Sequence, residues 1–143
     1  MKLLISEVLQ KAHSAKTKAE KIKILRDNDS QALRSILIIN FDESVVSLLP
    51  EGEPPYRKNE APEGTEHTKL EHEARILYHF FKGGSNIPNL RRETMFVQLL
   101  EGLHPDEAEV VILAKDKKLH KRYKVTFACA QEAFPQIKWG GRS

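Results

Sequence analysis

The chain has 143 residues, 40% apolar and 30% charged, with a formal net charge of +3. A chain of this length makes one domain around one hydrophobic core, and its single cysteine, Cys129, excludes an internal disulfide and a thiolate metal cluster. No apolar run approaches the roughly 20 residues that span a bilayer, and the N-terminus lacks the basic, apolar and small-residue succession of a secretory signal, so a soluble protein of the cytosol is expected, away from membranes.

The predicted elements are helical from the start. Ile5, Val8, Leu9 and Ala12 recur at the spacing of one helix face, broken near His13-Ser14. Thr17-Lys18-Ala19-Glu20 matches a capping box, in which hydroxyl and carboxylate satisfy free backbone donors, and Ile22 and Leu25 give that second helix its buried side. Its lysines, Lys16, Lys18, Lys21 and Lys23, make a basic face. Asp27-Asn28-Asp29-Ser30 offers several N-caps for a third, largely buried helix with Ala32, Leu33, Ile36, Leu37 and Ile39. Phe41 to Leu49 reads as a short fourth helix capped by Asp42.

From Pro50 to Gly64 the chain holds four prolines, two glycines and four glutamates, too dense in proline for a regular element. It reads as a surface loop joining an N-terminal helical half, residues 1–49, to a C-terminal half, residues 65–135. Pro54-Pro55-Tyr56 is either a stiff connector or a ligand for a proline-recognising groove. Thr68-Lys69-Leu70-Glu71 is a second capping-box match, predicted to open the longest helix, with Leu70, Ala74, Leu77, Tyr78 and Phe81 buried and Gly83-Gly84 stopping it.

Residues 88–118 then predict two helices joined by a tight turn. Phe96, Leu99, Leu100 and Leu103 form one stripe, and Ala108, Val111 and Ile112 a second that ends towards Leu119. Pro105 suits the first helical position, Asp106, Glu107 and Glu109 suit the positive end of the helix dipole, and Lys115, Lys117 and Lys118 suit the negative end. That order favours helix over a buried strand at Val110–Leu113, which β-branched composition alone would suggest. Thr126 caps a last helix carrying Phe127, Ala130 and Phe134, Pro135 ends it, and residues 136–143 form an irregular tail with Trp139 folded back on the core. The expected fold is therefore all-α, one domain of about six or seven helices in two halves joined by the proline-rich loop.

Searches for catalytic chemistry find little. His67, His72 and His79 are five and seven residues apart, not the three or four that chelate a metal along a helix, and His72-Glu73 lacks the second histidine of a zincin. The glycine pairs lack phosphate-loop surroundings, no nucleophile elbow exists, and Cys129 sits in an apolar setting. Neither an enzyme nor a bound metal or cofactor is expected.

Charge is distributed unevenly: residues 115–143 carry eight Lys/Arg against two Asp/Glu, whereas residues 51–114 carry seven against twelve. Lys115, Lys117, Lys118, Lys121, Arg122 and Lys124 place six cations within ten residues, with His120 and Tyr123 among them. This segment is the candidate site, the cations for DNA or RNA phosphates and Tyr123 for stacking on a base, without sequence preference; Lys18, Lys21 and Lys23 would extend it. The alternative is an adaptor docking on another protein.

Across the chain, Ser-Glu-Val-Leu-Gln-Lys-Ala (6–12), Ala-Lys-Thr-Lys-Ala-Glu-Lys (15–21), Leu-Leu-Pro-Glu-Gly (48–52), Leu-Arg-Arg-Glu-Thr-Met-Phe (90–96), Lys-Asp-Lys-Lys-Leu (115–119) and Glu-Ala-Phe-Pro (132–135) resemble a family of small uncharacterised proteins encoded by contractile-tailed phages of cyanobacteria. The likeness spans most of the chain. It implies a phage origin, the host-cell cytosol, and an accessory role in replication, transcription or host takeover with a phage or host protein as partner. It carries over no functional residue, because that family has no assigned activity.

Overall fold

The computed structural model describes residues 3–58 and 68–141. Among these the chain forms seven α-helices: α1 (Ile5–Ser14), α2 (Lys18–Asp27), α3 (Gln31–Phe41), α4 (Leu70–Glu73), α5 (Asn89–Gly102), α6 (Pro105–Lys115) and α7 (Phe127–Ala133). Two 3-10 segments, Ala74–Phe80 and Leu119–Lys121, complete the regular structure, and one isolated antiparallel bridge joins Ser47 to Phe81. The fold is all-α.

Several helices begin where short polar side chains can take up the first free backbone donors. Thr17 accepts from Glu20 N, Ser30 from Leu33 N and Thr126 from Cys129 N. The box at Thr17 is displaced by one residue on its return leg, since the Glu20 carboxylate takes Lys16 N at 3.3 Å. Pro105 opens α6 with His104 as its cap, the His104 Nδ1 accepting from Asp106 N at 3.0 Å.

α6 is the centre of the molecule. It packs against α1, α3 and α5, and Ala108, Val110, Val111, Ile112 and Ala114 bury most of its circumference, leaving a narrow half-exposed stripe that carries Asp106 and Glu109. In its first turn lies Glu107, 1% exposed. Its carboxylate accepts from Ile5 N and Leu70 N, both at 3.0 Å. These are the first residues of α1 and α4, so one buried carboxyl group meets the positive ends of two other helices as well as the first turn of its own.

Three expectations need correction. Residues 42–49 do not form a helix, because Asp42 Oδ1 accepts from both Ser44 N and Ser44 Oγ, a local turn that competes with helical bonding. The segment instead runs beside residues 80–82, with Leu48 N donating to Phe80 O and Lys82 N to Val46 O. The segment after Thr68 is not the longest helix, a place held by the 14-residue α5; it makes one α-turn and then winds as 3-10 through Phe80. Thr68 does not cap it: its Oγ1 donates to Glu73, while Glu107 holds Leu70 N. With Leu70 held at one end and Phe81 bridged to Ser47 at the other, the greater rise of a 3-10 helix, about 2.0 Å per residue against 1.5 Å, covers the span.

The two sequence halves also share one core. α3 packs on α6, and α2 packs on α7, and the buried apolar residues from Ile5 to Phe134 form a single cluster. The described part of the proline-rich loop is strapped down: Lys115 Nζ donates to Pro50 O and Gly52 O, Gly52 N to Asp116 Oδ2, and Arg57 N to Glu101 Oε2. Tyr56 packs partly against the core, while Pro55 beside it is exposed. The tail folds back as expected, with Trp139 set edge-on to Phe127 at 4.9 Å and Gly140 N donating to Asp42 Oδ2.

Candidate nucleic-acid interface

The basic segment begins at the end of α6, where Lys118 N donates to Leu113 O and Lys117 N to Ala114 O. This pair of bonds is the Schellman closure, which needs a left-handed residue. Lys117 fills that place with φ 59°, where glycine is usual. Its side chain explains the choice of residue. Lys117 Nζ donates to Ile39 O at 2.8 Å and Asp42 O at 2.7 Å, closing the negative end of α3. Burial pushes this ammonium below the usual lysine range, against the opposing pull of Asp42 and Glu43.

Other members of the segment also have partners within the chain. Lys115 is 4% exposed, and besides the two carbonyls of the loop it binds Asp116 Oδ1 at 2.6 Å. Lys118 pairs with Glu51 at 2.6 Å; that hydrogen bond raises the lysine above and lowers the glutamate below their ordinary ranges. Arg122 bridges Asp106 at 3.2 Å and Glu109 at 2.9 Å. Tyr123 is 1% exposed, and burial pushes its phenol up to about 12. A ring so enclosed has no face for a nucleic-acid base, so the stacking role expected of Tyr123 is corrected, as is the phosphate role of Lys115.

The basic face of α2 behaves alike. Lys21 Nζ closes α1 through Ala12 O at 2.7 Å, Arg26 closes α7 through Glu132 O and Ala133 O, Lys18 pairs with Glu132, and Lys23 pairs with Asp27. The ends of α1, α3 and α7 are thus each closed by a cation from another element, whereas Lys18 and Lys23 stay at the surface in exposed ion pairs.

Lys121 and Lys124 remain. Both are exposed, with His120 beside them. Lys124 N donates to His13 Nδ1 at 3.0 Å, which seats this stretch on the corner where α1 turns into α2 and brings it beside exposed Lys11 and Lys16. An adjoining cleft of about 280 Å³ has mixed charge, with Lys11 and Arg122 facing Glu7 and Asp106. Nothing local in the sequence signals the setting of Lys11, because the Lys124–His13 contact that makes this corner spans 111 residues.

Among the described residues no group of three or more His, Cys, Asp or Glu side chains is placed to hold a metal ion. His79 Nδ1 lies 2.9 Å from Ser85 Oγ, His72 is exposed, and His67 lies outside the described residues. Cys129 is buried. No described helix is long and apolar enough to cross a membrane.

One family model matches residues 8–121. The chain belongs to a family of unknown function, DUF6433. The DUF6433 match runs from within α1 to the 3-10 turn ending at Lys121, so it takes in Lys11, Lys16 and the whole of α6 but not Lys124 or α7. No curated protein and no solved structure matches the chain.

Proposed function

We propose that this protein is a non-catalytic accessory that contacts the phosphate backbone of nucleic acid, without sequence preference, at the corner carrying Lys11, Lys16, Lys121 and Lys124. The observation that carries this reading is the Lys124–His13 hydrogen bond, which joins two exposed basic stretches distant in sequence. Phosphate contacts from lysine are electrostatic and carry no base information. The resemblance to phage proteins supports a setting in the cytosol of an infected cell.

The test is fluorescence anisotropy with labelled single-stranded DNA, duplex DNA and RNA, repeated across salt concentrations. Four lysines predict a slope of log K against log salt of roughly −3 to −4. The K121E/K124E variant, altered at exposed positions, is expected to lose most of the affinity and about half of the slope. No binding at low salt by any of the three probes, or unchanged binding by that variant, refutes the assignment.

A further inference from the structure

A groove of about 380 Å³ lies between α3 and the 3-10 segment, on residues distinct from the basic corner. Its apolar floor includes Ile38, Val45, Leu77 and Phe81. The volume is within the range of pockets that hold a ligand or an anchoring side chain.

The 3-10 winding creates this surface. With three residues per turn, side chains at i and i+3 eclipse one another. Leu77 and Phe80 are therefore buried on the row towards the core, Arg75 and Tyr78 form the next row along the groove, and Ala74, Leu77 and the extended Phe81 complete this side of its lining. An α-helix would have drawn Tyr78 inward with Leu77; instead it stands 51% exposed. Of the exposed large apolar side chains among the described residues, Tyr78 lines the groove, and Val46 and Leu48 lie on the segment bridged to Phe81 beside it. The wall is held in place. Gly84 sits so close to Tyr78 O that a Cβ there would lie 1.8 Å from it, and buried Arg92 ties His79 O and Ile87 O to α5.

The charge at the rim defines the occupant. Arg75 and Lys82 are exposed, and neither side chain has a hydrogen bond or ion pair among the described residues, in contrast to the cations that close helix ends elsewhere. No described Asp or Glu lines the groove. The geometry points to a docking site for an acidic amphipathic segment of a partner protein, whose apolar side chains enter between Ile38, Leu77 and Phe81 while its carboxylates reach Arg75 and Lys82. Opposed charge at a rim selects the partner and disfavours like-charged ones.

The test is a titration of the ¹⁵N-labelled full chain with two synthetic peptides that share the same leucine and phenylalanine positions and carry either glutamate or lysine at the rest. The glutamate peptide is expected to give saturable shifts at Ile38, Tyr78, Phe81 and Lys82 and to bind about tenfold more tightly than the lysine peptide. R75E/K82E, changed only at exposed positions, should reverse that preference, Y78S should weaken binding by the glutamate peptide, and K121E/K124E should leave it unchanged. Absence of saturable shifts, equal binding of both peptides, shifts mapping away from the groove, or the same groove shifts produced by duplex DNA would each overturn the assignment. The last outcome would instead make Arg75 and Lys82 part of a nucleic-acid surface.

Discussion

Replacing Glu107 tests the packing logic of the whole molecule. Its two carboxylate oxygens each accept one backbone N–H at 3.0 Å, from Ile5 and Leu70, in a site where all three residues are buried. Hydrogen bonds to a charged group contribute roughly 1.5–3 kcal/mol each, and a buried donor left without a partner costs its full desolvation. E107A removes both bonds and uncaps two helices, so a loss of about 3–5 kcal/mol is expected, a large share of the roughly 5–15 kcal/mol by which domains are stable. E107Q retains one acceptor but turns an amide NH₂ towards the other backbone donor, and should lose about 2–3 kcal/mol. The assay is urea unfolding followed by circular dichroism and by the fluorescence of Trp139. With a slope near 2 kcal/mol/M, the midpoint of E107A should fall by roughly 1.5–2.5 M with the slope unchanged. Amide exchange at Ile5 and Leu70 should accelerate beyond the global change. E109A is the control, since Glu109 pairs with Arg122 in a half-exposed bridge worth less than about 1 kcal/mol. If E107A unfolds within about 0.5 kcal/mol of the parent, or no earlier than E109A, then α1 and α4 do not depend on this carboxylate.

Three other outcomes follow from the same geometry. G84A sets a Cβ 1.8 Å from Tyr78 O, a backbone atom that cannot swing aside, so its urea midpoint should drop by the equivalent of about 2 kcal/mol or more. K117A keeps the left-handed backbone and loses the closure of α3, whereas K117G loses the closure but relieves the backbone; K117G should therefore be the more stable of the two by about 1 kcal/mol, measured by urea midpoints. Tyr123 ionises near 12 in the folded protein because burial disfavours the phenolate, with Asp106 and Glu109 adding to the effect and Arg122 opposing it. The folded state then holds a proton that the unfolded state has released between about pH 10 and 12, so stability is lost across that window. Y123F should flatten that part of the stability profile, and tyrosinate absorbance should lose its late-titrating phase.

Much of the helical order was legible in the chain, and the exceptions have identifiable causes. The stripes Ile5-Val8-Leu9-Ala12, Ala32–Ile39 and Phe96–Leu103 are buried as their periodicity requires. Phe41–Leu49 failed because the Asp42 turn and the Ser47–Phe81 bridge compete with helix there. The 74–80 segment departs from the helix its apolar spacing suggests because its winding is three residues per turn. The candidate site was legible only as a density of charge. Lys115, Lys117, Lys118 and Arg122 stand near Lys121 and Lys124 in sequence, yet each of the first four meets an internal partner that no local pattern reveals.

The sequence by itself determined the all-α class and the starts of α2, α3, α6 and α7, because a cap and the donor it satisfies lie within four residues of each other. Tertiary structure alone decided where the charge is available. A lysine or arginine side chain is long enough to reach an oxygen on any neighbouring element, and the carbonyls that took Lys117 and Arg26 stand 75 to 107 residues away in the chain. The same packing sent Glu107 to two foreign helix ends and left Lys121, Lys124, Arg75 and Lys82 facing outward.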